Sequence, residues 1–261
     1  MKCLGIDIGG TNIDIVAFDK NFIHLATYPT AIYITNLEKL IKQIISDMDI
    51  ESVGIGAAVW IKEGNIIYAP HLPSQIEISK EINGIPIFLD NDANCFALFA
   101  HELLHFPNVL AITIGTGIGS GICINGAIYN GNGIAGEIGH WVIGSKERCK
   151  CGGFGHLECF FSGWALKKKY GKEAKELMKN GYIYTTKEFD IFCRAIANAI
   201  TLIDPSAVVF GGRIGMNLDE EMVKKGIHAY LMPPFDPEIK ILRDDFAGAK
   251  GACLMAIKKF K

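Results

Sequence analysis

Four side chains that commonly bind metal ions lie close together in the second half of the sequence. His140 is followed after eight residues by Cys149 and then by Cys151, and His156 lies five positions beyond the second cysteine. Two thiols and two imidazoles are a donor set typical of a tetrahedral zinc site. Glycines at positions 152, 153 and 155 would allow the loop to fold back sharply, so that both sulfur atoms can face one ion.

A Cys-x-Cys sequence by itself more often contains free cysteines, and histidines are common on protein surfaces. Here the two histidines, the glycines and the lack of apolar periodicity favour a metal site, with Cys159 as an alternative fourth ligand. Four protein ligands leave no coordination position for water or substrate, so we predict a structural zinc ion. Glu137 and Glu158 flank the ligands, and carboxylates held there would suit the hydroxyl groups of a polyol.

A glycine turn near the start of the chain could bind a phosphate group. An apolar strand ending at Asp7 is followed by a turn and a second strand, and the turn consists of Gly9, Gly10 and Thr11. The backbone N–H groups and the threonine hydroxyl of such a hairpin can receive a phosphate, while Asp7 could reach a Mg²⁺ ion. As an isolated motif, a glycine turn without a ligand is about as common.

The same plan recurs in the second half of the fold. Residues 110–124 form a predicted strand, turn and strand, and the turn consists of Gly115, Thr116 and Gly117. Two similar hairpins indicate a duplicated fold with a nucleotide between its halves. Gly211 and Gly212 follow another predicted strand, where missing side chains would let an adenine ring or a ribose lie against the backbone. A plain glycine loop is the alternative for that pair.

Acidic and amide side chains cluster at the start of one predicted helix. The sequence Asp90-Asn91-Asp92-Ala93-Asn94 follows a short apolar strand and precedes an apolar helical run. One of these residues is expected to cap the helix. The others exceed what a cap requires, and they would lie at the carboxyl end of a strand, where ligands usually bind in an open α/β sheet.

The remaining pattern predicts strands that alternate with amphipathic helices. Apolar residues keep helical spacing from Leu37 to Ile45 and again from Phe189 to Ile203. The second of these helices begins at Thr185 or Thr186, and Asp204 with the following proline ends it.

The composition limits the classes of function. With 261 residues, of which 49% are hydrophobic, the chain can form one large domain or two of ordinary size. A formal net charge of -2 gives no indication of nucleic-acid binding. The eight cysteines are too few and too unevenly spaced for a disulfide scaffold, so we expect a cytoplasmic protein. Asp7 interrupts the N-terminus before an apolar run builds up, so we expect no signal peptide. Phe106–Gly136 contains no charged residue, but its Gly, Asn, Thr and Ser content predicts hairpins in a soluble sheet and no membrane segment.

Together these motifs resemble the ROK family of sugar kinases and related repressors. The resemblance covers nearly the whole chain, and the motifs follow the family's order: Asp7-x-Gly-Gly-Thr11, Asn91-Asp92, Gly115-Thr116-Gly117, Glu137-x-Gly-His140, Cys149-x-Cys151-Gly-x-x-Gly155 with Glu158, and Gly211-Gly212. It implies a two-domain α/β fold of the actin-like (ribonuclease H-like, hexokinase-like) ATPase class, with a nucleotide and sugar cleft between the domains. We expect a smaller N-terminal domain, residues 1–106 plus 247–261, and a larger C-terminal domain, residues 107–246, that carries the zinc loop.

The resemblance also implies roles for individual residues. Asp92 is expected to be the general base for a sugar hydroxyl, usually the one on carbon 6. The sugar's other hydroxyls would bind a second group of residues: Asn91, Glu137, His140 and Glu158. His140 would contact both sugar and zinc, with one ring nitrogen for each. The cofactor-binding set for ATP and Mg²⁺ would be Asp7, Gly9, Gly10, Thr11, Gly115, Thr116, Gly117, Gly211 and Gly212.

Glucose is the default substrate, with an N-acylhexosamine or fructose as alternatives, and a homodimer is the family's usual state. Polyphosphate or ADP would use similar hairpins as phosphoryl donors. Two departures from the family pattern concern the sites: His156 stands where a fourth cysteine ligand is usual, and Ala57-Ala58-Val59-Trp60 replaces a Pro-Gly-rich sugar loop. Bulk at Val59 and Trp60 could narrow the sugar pocket or stack on the sugar.

Two other functions are alternatives to a sugar kinase. A repressor of the same family carries a DNA-binding helix-turn-helix ahead of the first hairpin, and here the hairpin begins at Asp7, so we expect no nucleic-acid partner. A non-catalytic sugar-binding protein is a further alternative, against which the presence of both Asp7 and Asp92 argues.

Overall fold

The computed structural model describes residues 2–144 and 146–260. The strands are β1 (Cys3–Ile8), β2 (Asn12–Asp19), β3 (Asn21–Pro29), β4 (Ser52–Ala57), β5 (Trp60–Lys62), β6 (Asn65–Tyr68), β7 (Glu81–Ile82), β8 (Ile85–Asn91), β9 (Asn108–Ile114), β10 (Ile118–Ile124), β11 (Ala127–Ile128), β12 (Ala207–Gly211) and β13 (Glu238–Ile241). The helices are α1 (Thr30–Tyr33), α2 (Leu37–Ser46), α3 (Asp92–Leu104), α4 (Glu158–Phe161), α5 (Gly163–Tyr170), α6 (Ala174–Met178), α7 (Lys187–Ile203), α8 (Gly212–Gly215), α9 (Glu220–His228) and α10 (Ala247–Phe260). Short 3-10 turns cover Ile34–Asn36, Ile138–His140 and Tyr182–Thr185.

The chain divides into two compact units. The first contains the described residues up to Phe99, the segment Asn130–Ile134 and the residues from Phe246 onward. The second contains Ala100–Tyr129 and Ala135–Asp245. Helix α3 therefore begins in the first unit and ends in the second.

The sheet of the first unit has six strands in the order β3-β2-β1-β4-β8-β7. Strands β1 and β2 form an antiparallel hairpin, and β4 and β8 continue the sheet in parallel with β1. Helix α10 packs so closely on the central strands that a Cβ at Gly54 would lie 1.9 Å from the carbonyl oxygen of Ala252. Glycine in β4 thus allows the backbone of the C-terminal helix to approach the sheet.

The sheet of the second unit repeats this plan. Its order is β11-β10-β9-β12-β13, with an antiparallel β9–β10 hairpin and with β12 and β13 parallel to β9. The internal duplication predicted from the two glycine hairpins is therefore confirmed at the level of topology. The core includes the fully buried aromatic side chains of Phe161, Phe192 and Phe210.

Helix α7 is the longest element of the second unit and begins where the sequence predicted. The side chain of Thr186 caps the helix by accepting a hydrogen bond from the backbone N–H of Phe189 at 3.2 Å. At the other end, Asp204 adopts a left-handed conformation with φ of 50°. Both signals were local, which is why they could be recognised without the tertiary structure.

Within the ranges that the structure describes, no helix combines the length and apolarity needed to span a membrane. The uncharged stretch Phe106–Gly136 contains β9, β10 and β11, so the prediction of sheet hairpins there is confirmed.

Candidate active site and metal centre

Asp92 is the first residue of α3, directly after β8. Its side chain is half-buried, and its Oδ1 accepts a hydrogen bond from the backbone N–H of Ala93 at 2.9 Å. Burial raises the pKa of the Asp92 carboxyl, while the Ala93 hydrogen bond and the nearby His71 act in the opposite direction. A carboxylate with a raised pKa is a stronger base than an ordinary aspartate, so this position suits proton transfer.

Asn91 connects the start of α3 to the loop after β4. Its Oδ1 accepts hydrogen bonds from the backbone N–H groups of Ala93, at 2.9 Å, and Asn94, at 3.3 Å. Its Nδ2 donates to the carbonyl oxygen of Val59 at 3.0 Å. Asn91 therefore performs the capping that the sequence assigned to one member of this cluster. The side-chain amide has one further N–H to offer to a ligand.

Asp90 and Asn94 form a second layer around this helix start. Asn94 is only 6% exposed, and its Nδ2 donates to Asp90 Oδ1 at 2.9 Å and to Asn130 Oδ1 at 3.0 Å. Asp90 Oδ1 also accepts from the backbone N–H of Asn91 at 2.8 Å, and Asp90 Oδ2 lies 3.7 Å from Lys259 Nζ. No sequence signal connects Asn130 to this cluster, because the two asparagines are 36 residues apart.

The first glycine turn is braced by its surroundings. The backbone N–H of Gly9 donates to the carbonyl oxygen of Asn12 at 2.9 Å, and the hydroxyl of Thr30 donates to the carbonyl oxygen of Gly9 at 2.7 Å. A Cβ at Gly10 would lie 2.8 Å from the carbonyl oxygen of His71. Packing alone therefore accounts for glycine at position 10, and the neighbouring Thr11 is exposed to solvent.

Asp7 lies just before this turn, as the penultimate residue of β1. A Cβ at Gly248 would lie 2.3 Å from Asp7 Oδ2, so glycine in the first turn of α10 makes room for the carboxylate. A carboxylate beside a helix N-terminus is stabilised by the helix dipole. Its oxygens are the ligands that Mg²⁺ prefers.

The second glycine turn has more open space. The backbone N–H of Gly115 donates to the carbonyl oxygen of Gly117 at 3.0 Å, and the carbonyl oxygen of Gly115 accepts from the N–H of Gly163 at 2.9 Å. In the described part of the chain, nothing beyond its neighbours lies within 4 Å of a Cβ built at Gly115. Its φ is also outside the left-handed region. Since neither packing nor backbone strain requires glycine here, the position suits close approach of a ligand to the backbone.

Helix α5 begins beside this second turn. Ser162 caps it by accepting from the N–H of Ala165 at 3.3 Å, and the N–H of Trp164 donates to the carbonyl oxygen of Thr116 at 3.4 Å. The amide groups and dipole of a helix N-terminus favour anions. The turn and the helix together form a surface compatible with a phosphate.

The Gly211–Gly212 pair has a structural explanation of its own. Gly212 has φ of 75°, and a Cβ there would lie 2.8 Å from the carbonyl oxygen of Ile114 in β9. Backbone conformation and packing on β9 therefore both require glycine at this position. The predicted contact with an adenine or ribose stays a prediction.

The four predicted metal ligands converge. One donor atom from each of four residues lies within 4.8 Å of all the others, and these residues are His140, Cys149, Cys151 and His156. His140 Nδ1 lies 3.2 Å from His156 Nδ1 and 3.7 Å from Cys149 Sγ, and Cys151 Sγ lies 3.2 Å from His156 Nδ1. In a tetrahedral zinc site, N–N edges are about 3.3 Å and N–S edges about 3.5 Å. The donor spacing therefore fits a zinc-sized ion.

The loop that carries the thiols is a tight hairpin. Isolated bridges pair Val142 with His156 and Arg148 with Phe154. The backbone N–H of Cys149 donates to the carbonyl oxygen of Gly153 at 2.8 Å. A Cβ at Gly153 would lie 2.5 Å from the His156 ring, so glycine makes room for this ligand.

Cys159, the alternative fourth ligand, is not in the convergent set of four. Its Sγ faces the carbonyl oxygen of Glu147 at 4.0 Å. Among the described residues, the convergent set therefore contains His156 in the fourth position.

The two predicted sugar-binding carboxylates lie at the edge of this centre. Glu158 begins α4 and is fully buried, and its Oε1 accepts a hydrogen bond from the thiol of Cys149 at 2.9 Å. Burial and the adjacent Glu158 raise the pKa of the Cys149 thiol, whereas a bound cation would lower it. Glu137 Oε2 lies 3.9 Å from His140 Nε2, so the two ring nitrogens of His140 face different partners.

The sequence is similar to known proteins over nearly its whole length, and the family model described as ROK family matches residues 3–259. The chain is 29% identical over 300 residues to the N-acetyl-D-glucosamine kinase of Pectobacterium atrosepticum, covering 96% of this chain and 97% of that one. It is 29% identical over 242 residues to the glucokinase of Pyrobaculum calidifontis, covering 83% and 80%. Among solved structures, it is similar to a ROK family glucokinase from Streptomyces griseus in complex with glucose and AMPPNP. That match has 25% identity, a TM-score of 0.81 and coverage of 99% and 100%.

Proposed function

The chain belongs to the ROK family, and we propose that it is an ATP-dependent hexose kinase in which Asp92 is the general base that activates the 6-hydroxyl of the sugar. The observation that carries this proposal is the placement of Asp92 at the carboxyl end of β8, where burial raises the pKa of its side-chain carboxyl group. Three neighbouring polar side chains hold the start of its helix: Asp90, Asn91 and Asn94.

The reaction needs a base and a way to neutralise phosphate charge. As the sugar oxygen bonds to the γ-phosphorus, the bond between that phosphorus and the oxygen bridging to the β-phosphate breaks, and ADP leaves. The proton of the sugar hydroxyl passes to the Asp92 carboxylate. Most of the rate enhancement in phosphoryl transfer comes from positioning and electrostatic stabilisation, with a smaller part from the base.

The donor side is assigned to Asp7 and the two glycine turns. The open space at Gly115 and the N-terminus of α5 support a phosphate contact there. The Asp7 carboxylate would hold Mg²⁺, which supplies positive charge to the phosphates. ATP is the proposed donor, in keeping with the AMPPNP bound to the Streptomyces griseus relative.

The sugar side is assigned to Asn91, Glu137, His140 and Glu158. Asn91 has one N–H beyond the bond to Val59, and His140 directs Nε2 toward Glu137, so both hydrogen-bond donors and acceptors are available for hydroxyl groups. Glucose, fructose and N-acylhexosamines are the candidate substrates, since relatives of both the glucokinase and the N-acetyl-D-glucosamine kinase type match this chain.

Zinc is proposed as a structural ion held by His140, Cys149, Cys151 and His156. It would fix the loop that carries these residues and orient the neighbouring Glu137 and Glu158.

We predict that His156→Ala loses zinc on dialysis against a weak chelator, whereas His156→Cys retains it, because a thiolate can replace an imidazole in such a site. Metal content per chain measures this. Loss of zinc from Cys159→Ala with full retention by His156→Ala would contradict the ligand set.

The test of the kinase function is phosphoryl transfer from ATP and Mg²⁺ to glucose, mannose, fructose, N-acetylglucosamine and N-acetylmannosamine. Turnover on one or two of these sugars, lost in Asp92→Asn while sugar binding persists, would support the proposal. Sugar binding by calorimetry without turnover by the zinc-loaded wild-type chain would favour the non-catalytic alternative. The homodimer stays a prediction that sedimentation velocity can check.

A further inference from the structure

Asn130 carries a side-chain amide that the proposed chemistry does not use. It opens the segment Asn130–Ile134, which belongs to the first unit although the chain on both sides belongs to the second. The backbone N–H of Gly133 donates to the carbonyl oxygen of Asn130 at 2.7 Å, which closes a tight turn. The turn has left-handed glycines, with φ of 53° at Gly131 and 112° at Gly133.

The segment is seated firmly on the β5–β6 hairpin. A Cβ at Gly133 would lie 2.6 Å from the carbonyl oxygen of Ile61 and 3.1 Å from the Cα of Lys62. Any other residue at position 133 would clash with this backbone, so the close contact depends on glycine at this position. It fixes the backbone position from which the Asn130 side chain extends.

The orientation of the Asn130 amide follows from its neighbours. The Asp90 carboxylate can only accept hydrogen bonds, so Asn94 must direct its amide nitrogen toward Asp90 Oδ1, at 2.9 Å. The same nitrogen supplies its second hydrogen to Asn130 at 3.0 Å, which requires that Asn130 present its oxygen to Asn94. The hydrogen-bond network therefore determines which end of the Asn130 amide is the nitrogen.

The nitrogen of Asn130 is consequently directed away from Asn94. Asn130 is exposed, and its Nδ2 has no hydrogen-bond partner within residues 2–144 and 146–260. Asn94 lies two residues after Asp92 in the first turn of α3, and the Asp90 oxygen that it binds also accepts the N–H of Asn91. Two oriented N–H donors thus lie beside the helix start that carries the proposed base.

An apolar surface lies on the same hairpin. Residue Ile61, whose carbonyl faces Gly133, follows Trp60, and the Trp60 ring packs on Tyr68 with ring centroids 5.2 Å apart. Tyr68 is 43% exposed. The segment that carries this N–H donor therefore packs on the hairpin that carries the aromatic pair. An N–H donor and an aromatic surface are together complementary to a group that has both an acceptor oxygen and a methyl group.

We propose that Asn130 Nδ2 donates a hydrogen bond to the carbonyl oxygen of an N-acyl substituent on the sugar, which makes an N-acylhexosamine the preferred substrate class. This inference rests on the proposed kinase function. A hydroxyl group can donate or accept and so can pair with many side chains, whereas an amide carbonyl can only accept. A buried carbonyl without a donor is unfavourable, so a donor placed to meet it discriminates between substrate classes.

Asn130→Asp tests the inference with a nearly isosteric change. The aspartate keeps an oxygen for Asn94 but replaces the two N–H donors by an acceptor, which repels the acyl carbonyl. The wild-type chain is expected to prefer N-acetylglucosamine or N-acetylmannosamine to glucose. In Asn130→Asp, the ratio of kcat/KM for the N-acyl sugar to that for glucose is expected to fall by about 10-fold or more, mainly through KM. Asn132→Asp makes the same chemical change two residues away, at another exposed position of this segment, and serves as the control.

A second variant guards against a folding defect. Asn130→Ala removes the donors without adding charge, and the same fall in the ratio is expected from it, with a thermal unfolding midpoint close to that of Asn132→Asp. A wild-type chain that phosphorylates glucose or fructose but neither N-acyl sugar would overturn the inference and leave the kinase function intact. An unchanged ratio in both Asn130 variants would overturn it equally. Inactivity of the wild type on every sugar would instead refute the proposed function.

Discussion

The two glycine turns follow one hairpin plan but differ in what surrounds them. In the first unit, Thr30 holds the carbonyl oxygen of Gly9 and the backbone at His71 closes the space beside Gly10. In the second unit, the described residues leave the space beside Gly115 open, and the capped start of α5 lies against this turn. Glycine is thus required by packing in the first turn and available to a ligand in the second.

The strands before the two turns differ in the side chain at their penultimate position. Asp7 and Thr113 are both the penultimate residue of their strand, and they pair with Gly56 and Gly211 in the neighbouring parallel strands. The first repeat thus has a carboxylate where the second has a hydroxyl. At this strand position the two repeats share their topology but differ in chemistry, with an acidic group in the first and a hydroxyl group in the second.

The largest expected effect tests this division of chemistry. Asp92→Asn removes the proposed base from the first unit, and kcat is expected to fall by about 10²–10⁴-fold, as for loss of a general base. Thr113→Val, in the second unit, is expected to cause a much smaller change in kcat. Steady-state kinetics on the best sugar compares the two variants. Equal losses in both would contradict the assignment of acid–base chemistry to the first unit.

The next effect concerns stability and separates the two turns directly. Gly10→Ala places a Cβ 2.8 Å from the His71 carbonyl oxygen, so the free energy of unfolding is expected to fall by about 1–3 kcal/mol through overpacking. Gly115→Ala meets open space and is expected to change that free energy by less than about 1 kcal/mol. Urea unfolding at one pH measures both. A larger loss in Gly115→Ala than in Gly10→Ala would reverse the comparison.

A smaller effect of Gly115→Ala is expected in donor binding. The added methyl group would occupy space that a phosphate needs, so KM for ATP should rise by about 5- to 10-fold, equivalent to about 1 kcal/mol. KM for the sugar should change little. If KM for ATP stays constant while the chain is active and folded, the second turn does not contact the phosphates.

The smallest effect is a shift in pH dependence. Asp92 must be ionised to accept a proton, and burial raises its pKa, so kcat/KM should decline with falling pH at values above the ordinary aspartate pKa of about 3.9. The raised pKa of Asp92 also makes the stability of the fold depend on pH, because the folded state holds the Asp92 proton more tightly than the unfolded state does. Stability from this group is therefore present below the unfolded pKa and is lost as pH rises through the folded pKa.

Asp92→Asn should remove that pH-dependent loss, so its unfolding free energy relative to wild type should increase as pH rises through the window. Denaturant unfolding at several pH values measures the difference. A constant difference between the two chains would show that the Asp92 carboxyl has an ordinary pKa.

Local patterns made much of the fold predictable. The hairpins β1–β2 and β9–β10 were recognised from apolar runs around glycine turns, and α7 from helical spacing after a capping threonine. The convergence of the four candidate metal ligands was predictable because they span only 17 residues, so that a single loop can bring them together. In each case, residues close in sequence carry the interaction.

The sequence by itself thus determined the repeated α/β architecture, the cluster of polar residues at the start of α3 and the Cys2His2 donor set. Only the tertiary structure decided which polar residue has which task. Asn91 caps the helix and binds Val59, and Asn94 orients Asn130 from 36 residues away. The physical reason is that hydrogen bonds between distant segments depend on how the sheet, the hairpin and the helix pack, and no periodicity or spacing in the chain encodes that packing locally.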